Sequence, residues 1–229
     1  MVKYLISGNK SGLGKYLFDN LPNSIGFGRG QQHIIQNCDN IIHCAFNKTN
    51  DITNHYQYLE DNIFLTKNLL NCYNKKFIYI STIDVYNQTP TMYSLFKQFA
   101  ESIVLNHPNT LVLRCSMMLG PTMKPNHVTK LKNNNEKIGL SGESTFNYIL
   151  MEDIYNFIIN EDLSQYNGII DFTSNSNTKL SEVKKYFNSN TKLGDYKYES
   201  LNLENTNPIH ILNSKYNKSS IDNLKTYFT

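Results

Sequence analysis

Residues 2–14 read VKYLISGNKSGLG, and this stretch decides the fold. Residues 2–7 form a short apolar run, Gly8 closes it, and residues 12–21 continue with the spacing of apolar side chains typical of a helix. A strand, a glycine turn and a helix in that order bring backbone N–H groups and the positive end of a helix to one point. Glycine suits such a turn because a Cβ would block the close approach of a phosphate.

The glycine turn predicts a site for the diphosphate of NAD or NADP. The spacing is GxxxGxG rather than the commoner GxGxxG, and three glycines could also serve only a tight turn with close packing of helix on strand. The residues assigned to the cofactor at this turn are Gly8, Lys10, Ser11, Gly12, Leu13 and Gly14.

Strand-like and helix-like segments alternate along the rest of the chain. Apolar runs occur at 24–27, 40–45, 77–81, 111–114 and 168–172, and helical patterns at 59–72, 92–105 and 180–187 follow three of them. This alternation predicts an α/β fold, a Rossmann-like doubly wound parallel sheet with a small C-terminal substrate lobe. We expect residues 1–120 and 149–187 to form the nucleotide-binding domain, and residues 121–148 and 188–229 to form the lobe.

Composition excludes several classes of function. The formal charge is +3, from 22 basic and 19 acidic residues without a basic run, so nucleic acid is not an expected partner. No apolar stretch approaches the roughly 20 residues of a membrane span, so we expect no membrane partner and a cytoplasmic location. The four cysteines have the spacing of neither a metal site nor a disulfide framework, and we expect no metal. They are Cys38, Cys44, Cys72 and Cys115.

The residue that follows the second strand favours NADP(H) over NAD(H). Ligands of doubly wound sheets lie at the carboxyl ends of the strands, and an acid after the second strand suits the ribose hydroxyl of NAD. Here the sequence is Gly26-Phe27-Gly28-Arg29, which offers a guanidinium instead. Arg29 could pair the 2′-phosphate of NADP, or it could be a solvated surface side chain.

Tyr93, Lys97 and Thr82 are the candidate catalytic residues. Tyr93 and Lys97 form the single YxxxK pair of the chain and lie on one face of the helix predicted at 92–105. Thr82 ends the strand before it, so the three groups are expected to converge at one edge of the sheet. Tyr93 would give its proton to a carbonyl oxygen during hydride transfer, and the Lys97 ammonium would lower the phenol pKa. Thr82 would orient the substrate oxygen, and Lys97 could also bond the nicotinamide ribose. The alternative is a surface helix pair beside a strand-capping threonine.

Several motifs, in order, resemble the extended branch of the short-chain dehydrogenase/reductase superfamily, the NAD-dependent epimerase/dehydratase family. Residues 39–45 read DNIIHCA and resemble its DxxIHxA strand, and residues 81–86 read STIDVY and resemble its STxxVY segment. Residues 113–121 are similar to its LRxxxxxGP strand end. With the glycine turn and the YxxxK pair, the resemblance runs from residue 2 to about residue 187.

This resemblance implies a set of roles and a class of substrate. It makes Thr82, Tyr93 and Lys97 catalytic, and it places Ala45 and Asn62 near the cofactor, together with Cys115 and Ser116 after the 111–114 strand. The sequence departs from relatives at Phe146, where many carry an arginine that grips the substrate phosphate.

The expected function is reduction of a keto group, at C4, of a nucleotide-activated sugar in surface polysaccharide synthesis. This expected activity is similar to that of dTDP-4-dehydrorhamnose reductases and GDP-fucose synthases. A nucleotide-sugar 4-epimerase or dehydratase is the alternative within the same class, and a non-catalytic NAD(P)-binding sensor or scaffold is the alternative from another class. Helices at 59–72 and 92–105 are expected to form a homodimer contact.

Overall fold

The computed structural model describes residues 2–28, 38–48, 54–72, 75–200 and 206–229. Its strands in chain order are β1 (Tyr4–Ser7), β2 (Ser24–Phe27), β3 (Asn40–His43), β4 (Lys76–Thr82), β5 (Thr110–Cys115), β6 (Met117–Leu119), β7 (Lys137–Leu140), β8 (Thr145–Phe146), β9 (Tyr148–Leu150), β10 (Gly168–Phe172), β11 (Thr178–Lys179) and β12 (Lys192–Tyr196). Its helices are α1 (Gly12–Asn20), α2 (His55–Leu59), α3 (Leu65–Leu70), α4 (Met92–Leu105), α5 (His127–Lys132), α6 (Met151–Asn160), α7 (Leu180–Tyr186), α8 (Ile209–Leu212) and α9 (Ser220–Phe228).

The central sheet has six parallel strands in the order β10-β5-β4-β3-β1-β2. The chain starts in the interior at β1, adds β2 on one side and then β3, β4, β5 and β10 on the other. The order therefore reverses between β1 and β3, and the carboxyl ends of these two strands bound the crevice where doubly wound sheets bind ligands. The predicted Rossmann-like fold is confirmed.

Helices cover both faces of the sheet because its strands are apolar on both faces. All seven residues of β4 are buried. On one face Leu17 of α1 and Phe157 of α6 pack in a core cluster with Ile6, and on the other Leu69 of α3 and Val104 of α4 pack in a second cluster. Each such side chain contributes about 1.5–3 kcal/mol when it is fully buried. The strands are thereby held as a rigid frame for the residues that follow them.

A third cluster of buried side chains lies outside the central sheet. Many of its side chains come from three two-stranded sheets, which pair β6 with β9, β7 with β12 and β8 with β11. The cluster joins Phe146 and Leu224, from the segments predicted to form a lobe, to Leu180 of α7. The exact division into two domains stays a prediction.

Two helical features differ from the sequence pattern. The helix α6 was not predicted, although its Ile154, Phe157 and Ile158 are buried. The helix predicted at 59–72 begins earlier, at His55, and a π-helical turn, Glu60–Phe64, separates α2 from α3. Single π-helical turns commonly mark functional sites. Within the described ranges, no helix combines the length and the apolar character needed to cross a membrane.

Candidate active site

The glycine turn after β1 packs closely against the residues that follow β3. Gly8 has a φ of +73°, and a Cβ added there would lie 2.7 Å from the Ala45 nitrogen. A Cβ on Gly14 would lie 2.4 Å from the Gly8 oxygen, so this glycine brings α1 against the turn. Gly12 has a φ of +58°, and a Cβ there would meet nothing within 4 Å. Two glycines thus permit backbone packing, and the third faces open space, which fits a cradle for a dinucleotide diphosphate.

The first turn of α1 supplies donors to this open space. Ser11 is the N-cap residue and makes no capping hydrogen bond with its side chain. The Gly12 N–H donates to the Thr122 carbonyl at 3.1 Å, so we expect the N–H groups of Leu13 and Gly14 to face an anion. The Leu13 side chain is buried in the core, which restricts this residue to backbone contacts, whereas Lys10 is exposed.

A buried histidine fixes the crevice between β1 and β3. The His43 Nδ1 atom lies 2.6 Å from the Ser7 hydroxyl, and its Nε2 atom lies 2.9 Å from the Thr66 hydroxyl. The Ser7 oxygen also accepts the Ala45 N–H at 3.2 Å. Burial lowers the pKa of His43 to about 3, so the ring is neutral and bridges two hydroxyls. His43 therefore has a structural role, which ties the glycine turn to Ala45.

Asn62 holds the segment after β3 through backbone contacts. Its Oδ1 atom accepts the Asn47 N–H at 2.7 Å, and its Nδ2 group donates to the Asn47 carbonyl at 3.1 Å. Asn62 is 1% exposed and lies in the π-helical turn. The resemblance placed Asn62 near the cofactor. The structure shows that both polar groups of its side chain bond the Asn47 backbone, so it shapes residues 44–48.

The structure brings Thr82 and Tyr93 together. The Thr82 hydroxyl acts on the Tyr93 phenol and lowers its pKa, and the Thr82 Oγ1 atom accepts the Asp84 N–H at 3.2 Å. Lys97 lies one turn further along α4 and is 3% exposed. Its Nζ atom donates to the Ile80 carbonyl at 2.6 Å, in the strand that carries Thr82. The three residues therefore lie at the carboxyl end of β4, as predicted.

The electrostatics of Tyr93 differ from the sequence expectation. Burial and the Asp84 charge raise the Tyr93 pKa, and the Thr82 hydroxyl opposes them. Burial also lowers the pKa of Lys97 to about 7. Near neutral pH this amine carries only part of its positive charge, so it is a weak stabiliser of a phenolate. The expected lowering of the Tyr93 pKa by Lys97 is not observed in this conformation.

Four residues that the sequence analysis did not single out surround Tyr93. The Phe46 ring meets the Tyr93 ring at 5.1 Å and 90°, and the Lys48 ammonium lies 4.2 Å from the Tyr93 centroid. Asp84 acts on Tyr93 through its charge, and the Tyr198 hydroxyl donates to Asp84 at 3.4 Å. Phe46, Lys48 and Asp84 all follow strands of the parallel sheet. Their position after a strand could have indicated from the sequence that they lie near the site. Tyr198 comes from the C-terminal region and carried no such signal.

A buried charge network supports the end of β4 from below. Glu101 accepts from Arg114 at 2.6 Å and from the Ser81 hydroxyl. The Arg114 guanidinium lies 4.6 Å from the Tyr86 ring centroid, and the Tyr86 hydroxyl donates to Asp171 at 2.9 Å. The network joins α4, β5, β10 and the turn after Thr82. If one partner moved away, a buried charge would be left uncompensated. The network therefore holds the turn after Thr82 in one position.

The remaining candidate residues are divided by their surroundings. Cys115 is buried at the end of β5, and its neighbour Ser116 has a buried hydroxyl without a partner among the described residues. Such a hydroxyl fits a site that receives a polar ligand group. Phe146 stacks on Tyr198 at 5.0 Å and packs at a tilt on His127 at 3.9 Å, so an aromatic cluster stands where the resemblance implied an arginine. Arg29 lies outside the described residues.

Comparisons with known proteins identify the fold. No protein-family model matches the chain, and no curated protein sequence matches it. The dTDP-4-dehydrorhamnose reductase of Bacillus anthracis, solved with NADP, is 18% identical with a TM-score of 0.76, over 100% of this chain and 99% of that one. The same enzyme from Yersinia enterocolitica is 20% identical with a TM-score of 0.75, over 99% and 98%.

An epimerase is also similar in structure. The UDP-glucuronic acid 4-epimerase of Bacillus cereus, solved with NAD, is 15% identical with a TM-score of 0.70, over 100% of both chains. At these identities the likeness establishes the fold. The chain therefore has the fold shared by these nucleotide-sugar reductases and epimerases.

Proposed function

We propose that this protein is an NAD(P)-dependent reductase of a keto group, at C4, of a nucleotide-activated sugar. The observation that carries the proposal is the placement of Thr82, Tyr93 and Lys97 around the carboxyl end of β4, on the same edge of the sheet as the glycine cradle. The similarity to dTDP-4-dehydrorhamnose reductases supports this reaction and this class of substrate. A role in surface polysaccharide synthesis in the cytoplasm goes with this proposal.

In this reaction Tyr93 is the general acid. A bound nicotinamide supplies hydride to the carbonyl carbon. Thr82 orients the carbonyl oxygen, and the Tyr93 phenol gives its proton to that oxygen, so the ketone becomes an alcohol. Burial and Asp84 raise the Tyr93 pKa, which keeps the phenol protonated at neutral pH, as a general acid requires.

Epimerisation or dehydration is the second candidate, and Asp84 is the observation that favours it. Both reactions need acid or base groups beyond the tyrosine, and the Asp84 carboxylate acts on Tyr93 and bonds the Tyr198 hydroxyl. An epimerase recycles its cofactor, whereas a reductase consumes it. Net consumption of NADPH therefore separates the two functions.

Homodimer formation is proposed through the exposed side of α4. Met92, Leu95 and Phe99 are 48%, 44% and 52% exposed, and their spacing places them on one face of the helix. Phe64, 40% exposed, lies in the π-helical turn beside α4. Four exposed apolar side chains on neighbouring elements are typical of an interface. Phe99→Glu is expected to halve the mass measured by light scattering, and a wild-type monomer would contradict the dimer.

The first experiment is a fluorescence titration of the full chain with NADPH and with NADH. If Arg29 pairs a 2′-phosphate, NADPH binds about 10-fold or more tightly than NADH. Equal or tighter binding of NADH would overturn the preference for NADP. NADPH consumption with dTDP-4-dehydrorhamnose would then support the reductase directly. Tight binding without turnover of any nucleotide sugar would favour a sensor or scaffold, and failure to bind either dinucleotide would refute the redox function.

A further inference from the structure

The ring of Phe46 lies against both members of the Tyr93–Lys97 pair. The Lys97 Nζ atom is 4.5 Å from the Phe46 ring centroid, within the range of a cation–π contact. The Phe46 and Tyr93 rings meet edge to face at 5.1 Å. One phenylalanine side chain therefore contacts the two groups on which the proposed chemistry depends.

Two aromatic rings lie over the Lys97 ammonium, and they are held differently. Its Nζ atom is bonded to the Ile80 carbonyl, and a second ring, that of Tyr79, lies 4.6 Å from it. Tyr79 is part of β4 and is fully buried. Phe46 follows β3, outside the regular strand, and is only partly buried. Rotation of the Phe46 side chain is therefore the least disruptive way to expose the Lys97 ammonium.

The backbone around Phe46 is fixed, so movement belongs to the side chain. Asn62 bonds both the N–H and the carbonyl of the neighbouring residue Asn47. The Ala45 N–H on the other side is bonded to the Ser7 hydroxyl. The ring itself is held by edge contacts with Tyr93 and Tyr58. Such contacts are individually weak, which suits a side chain with two positions.

We propose that Phe46 is a gate over Lys97. The Phe46 ring must turn aside before the Lys97 ammonium can bond a ribose hydroxyl. This proposal rests on the proposed function, because the ribose is that of the nicotinamide cofactor. Because only open molecules bind the cofactor, its apparent affinity equals the affinity of the open form multiplied by the fraction of molecules that are open. The Phe46 ring also packs against the Tyr93 ring, so opening frees both groups together.

Two measurements on full-length Phe46→Ala and Phe46→Leu test the gate. The first is the rate at which acetyl N-hydroxysuccinimide labels Lys97, read by peptide mass spectrometry, and the second is the affinity for NADPH. Phe46→Leu keeps apolar bulk without a π face and serves if the alanine variant does not fold. The matched control is Phe96→Ala, which removes a ring that packs on Tyr58 at 4.6 Å rather than over Lys97.

If Phe46 is a gate, both variants label Lys97 at least about 5-fold faster than the wild type and bind NADPH about 3- to 10-fold more tightly, while Phe96→Ala changes neither. Unchanged labelling of Lys97 in a folded variant overturns the gate, as does weaker binding of NADPH, which would make Phe46 a wall of the cofactor site. Faster labelling without NADPH or NADH binding in any form of the protein supports the gate over Lys97 and refutes the proposed redox function.

Discussion

The glycine turn and the Tyr93 pocket, formed by Tyr93 with the Phe46 and Lys48 side chains packed on it, lie at the same edge of the sheet. They are built from different parts of the chain. Backbone conformation makes the turn: Gly8 and Gly12 have positive φ, and the Gly8 Cα approaches Ala45 closely. Side chains make the pocket, with Phe46 and Lys48 packed on Tyr93. The turn therefore tolerates almost no substitution, whereas the pocket can be modified one contact at a time. This difference predicts how variants in the two regions behave.

The largest effect is expected in the pocket, from Tyr93→Phe. Loss of the proton donor should lower turnover by about 10²- to 10⁴-fold, while the affinity for NADPH changes by no more than about 3-fold. Steady-state kinetics with dTDP-4-dehydrorhamnose and a fluorescence titration measure the two quantities. Turnover that survives the substitution would remove Tyr93 from the mechanism. A large loss of NADPH affinity would show that the pocket and the turn are not independent.

The turn should be the more sensitive region in stability. Gly8→Ala places a Cβ 2.7 Å from the Ala45 nitrogen at a φ of +73°, and we expect a loss of roughly 2–5 kcal/mol in the free energy of unfolding. Gly139→Ala is the matched control, because a Cβ there meets nothing within 4 Å. Urea unfolding of both variants gives the comparison. Equal stability of the two would contradict the close approach of Gly8 to Ala45.

Burial of Lys97 should lower the free energy of unfolding at neutral pH. Its folded pKa of about 7 lies below the unfolded value of about 10.4, so between these pH values the unfolded chain binds the extra proton. The free energy of unfolding of the wild type should therefore rise from about pH 7 to pH 10 by a few kcal/mol at most. In Lys97→Met this rise should be smaller, and the variant should be more stable than the wild type at pH 7. Parallel profiles of the two proteins would show that Lys97 is not buried as described.

The smallest effect concerns the connection between the two regions. Asn62→Ala removes both hydrogen bonds to the Asn47 backbone and should cost about 1–3 kcal/mol, because polar groups at a buried site lose their partners. Asn68→Ala, at an exposed position of the same helical segment, should change stability by less than about 0.5 kcal/mol. Thermal unfolding measures both. If Asn62→Ala behaves like its control, residues 44–48 are held by other contacts.

Much of the frame could be read from the sequence because periodicity reports local structure. The strand Ser24–Phe27 and the helix α4 have the bounds that the pattern predicted. The helix α6 was not predicted, although Ile154, Phe157 and Ile158 have the spacing of a buried helix face. The π-helical turn left no pattern in the apolar spacing, and its Asn62 bonds a segment 15 residues earlier.

The candidate site divides in the same way. Thr82, Tyr93 and Lys97 could be proposed from a strand end and a helical spacing, and the structure places them together. Their charges could not be proposed, because the pKa of Lys97 depends on burial beneath Phe46 and Tyr79, which belong to different strands and loops. Tyr198 reaches Asp84 across 114 residues of chain, and no local pattern contains such a contact.

By itself, the sequence determined the strands of the central sheet, the glycine turn and the placement of Thr82, Tyr93 and Lys97 at the carboxyl edge of a parallel sheet. These follow from local propensity and from the rule that parallel strands end on one side. Only the tertiary structure decided the ionisation of Lys97 and Tyr93 and the cover that Phe46 gives to both. Desolvation and ring contacts depend on which distant residues exclude water from a group, and that is a property of packing.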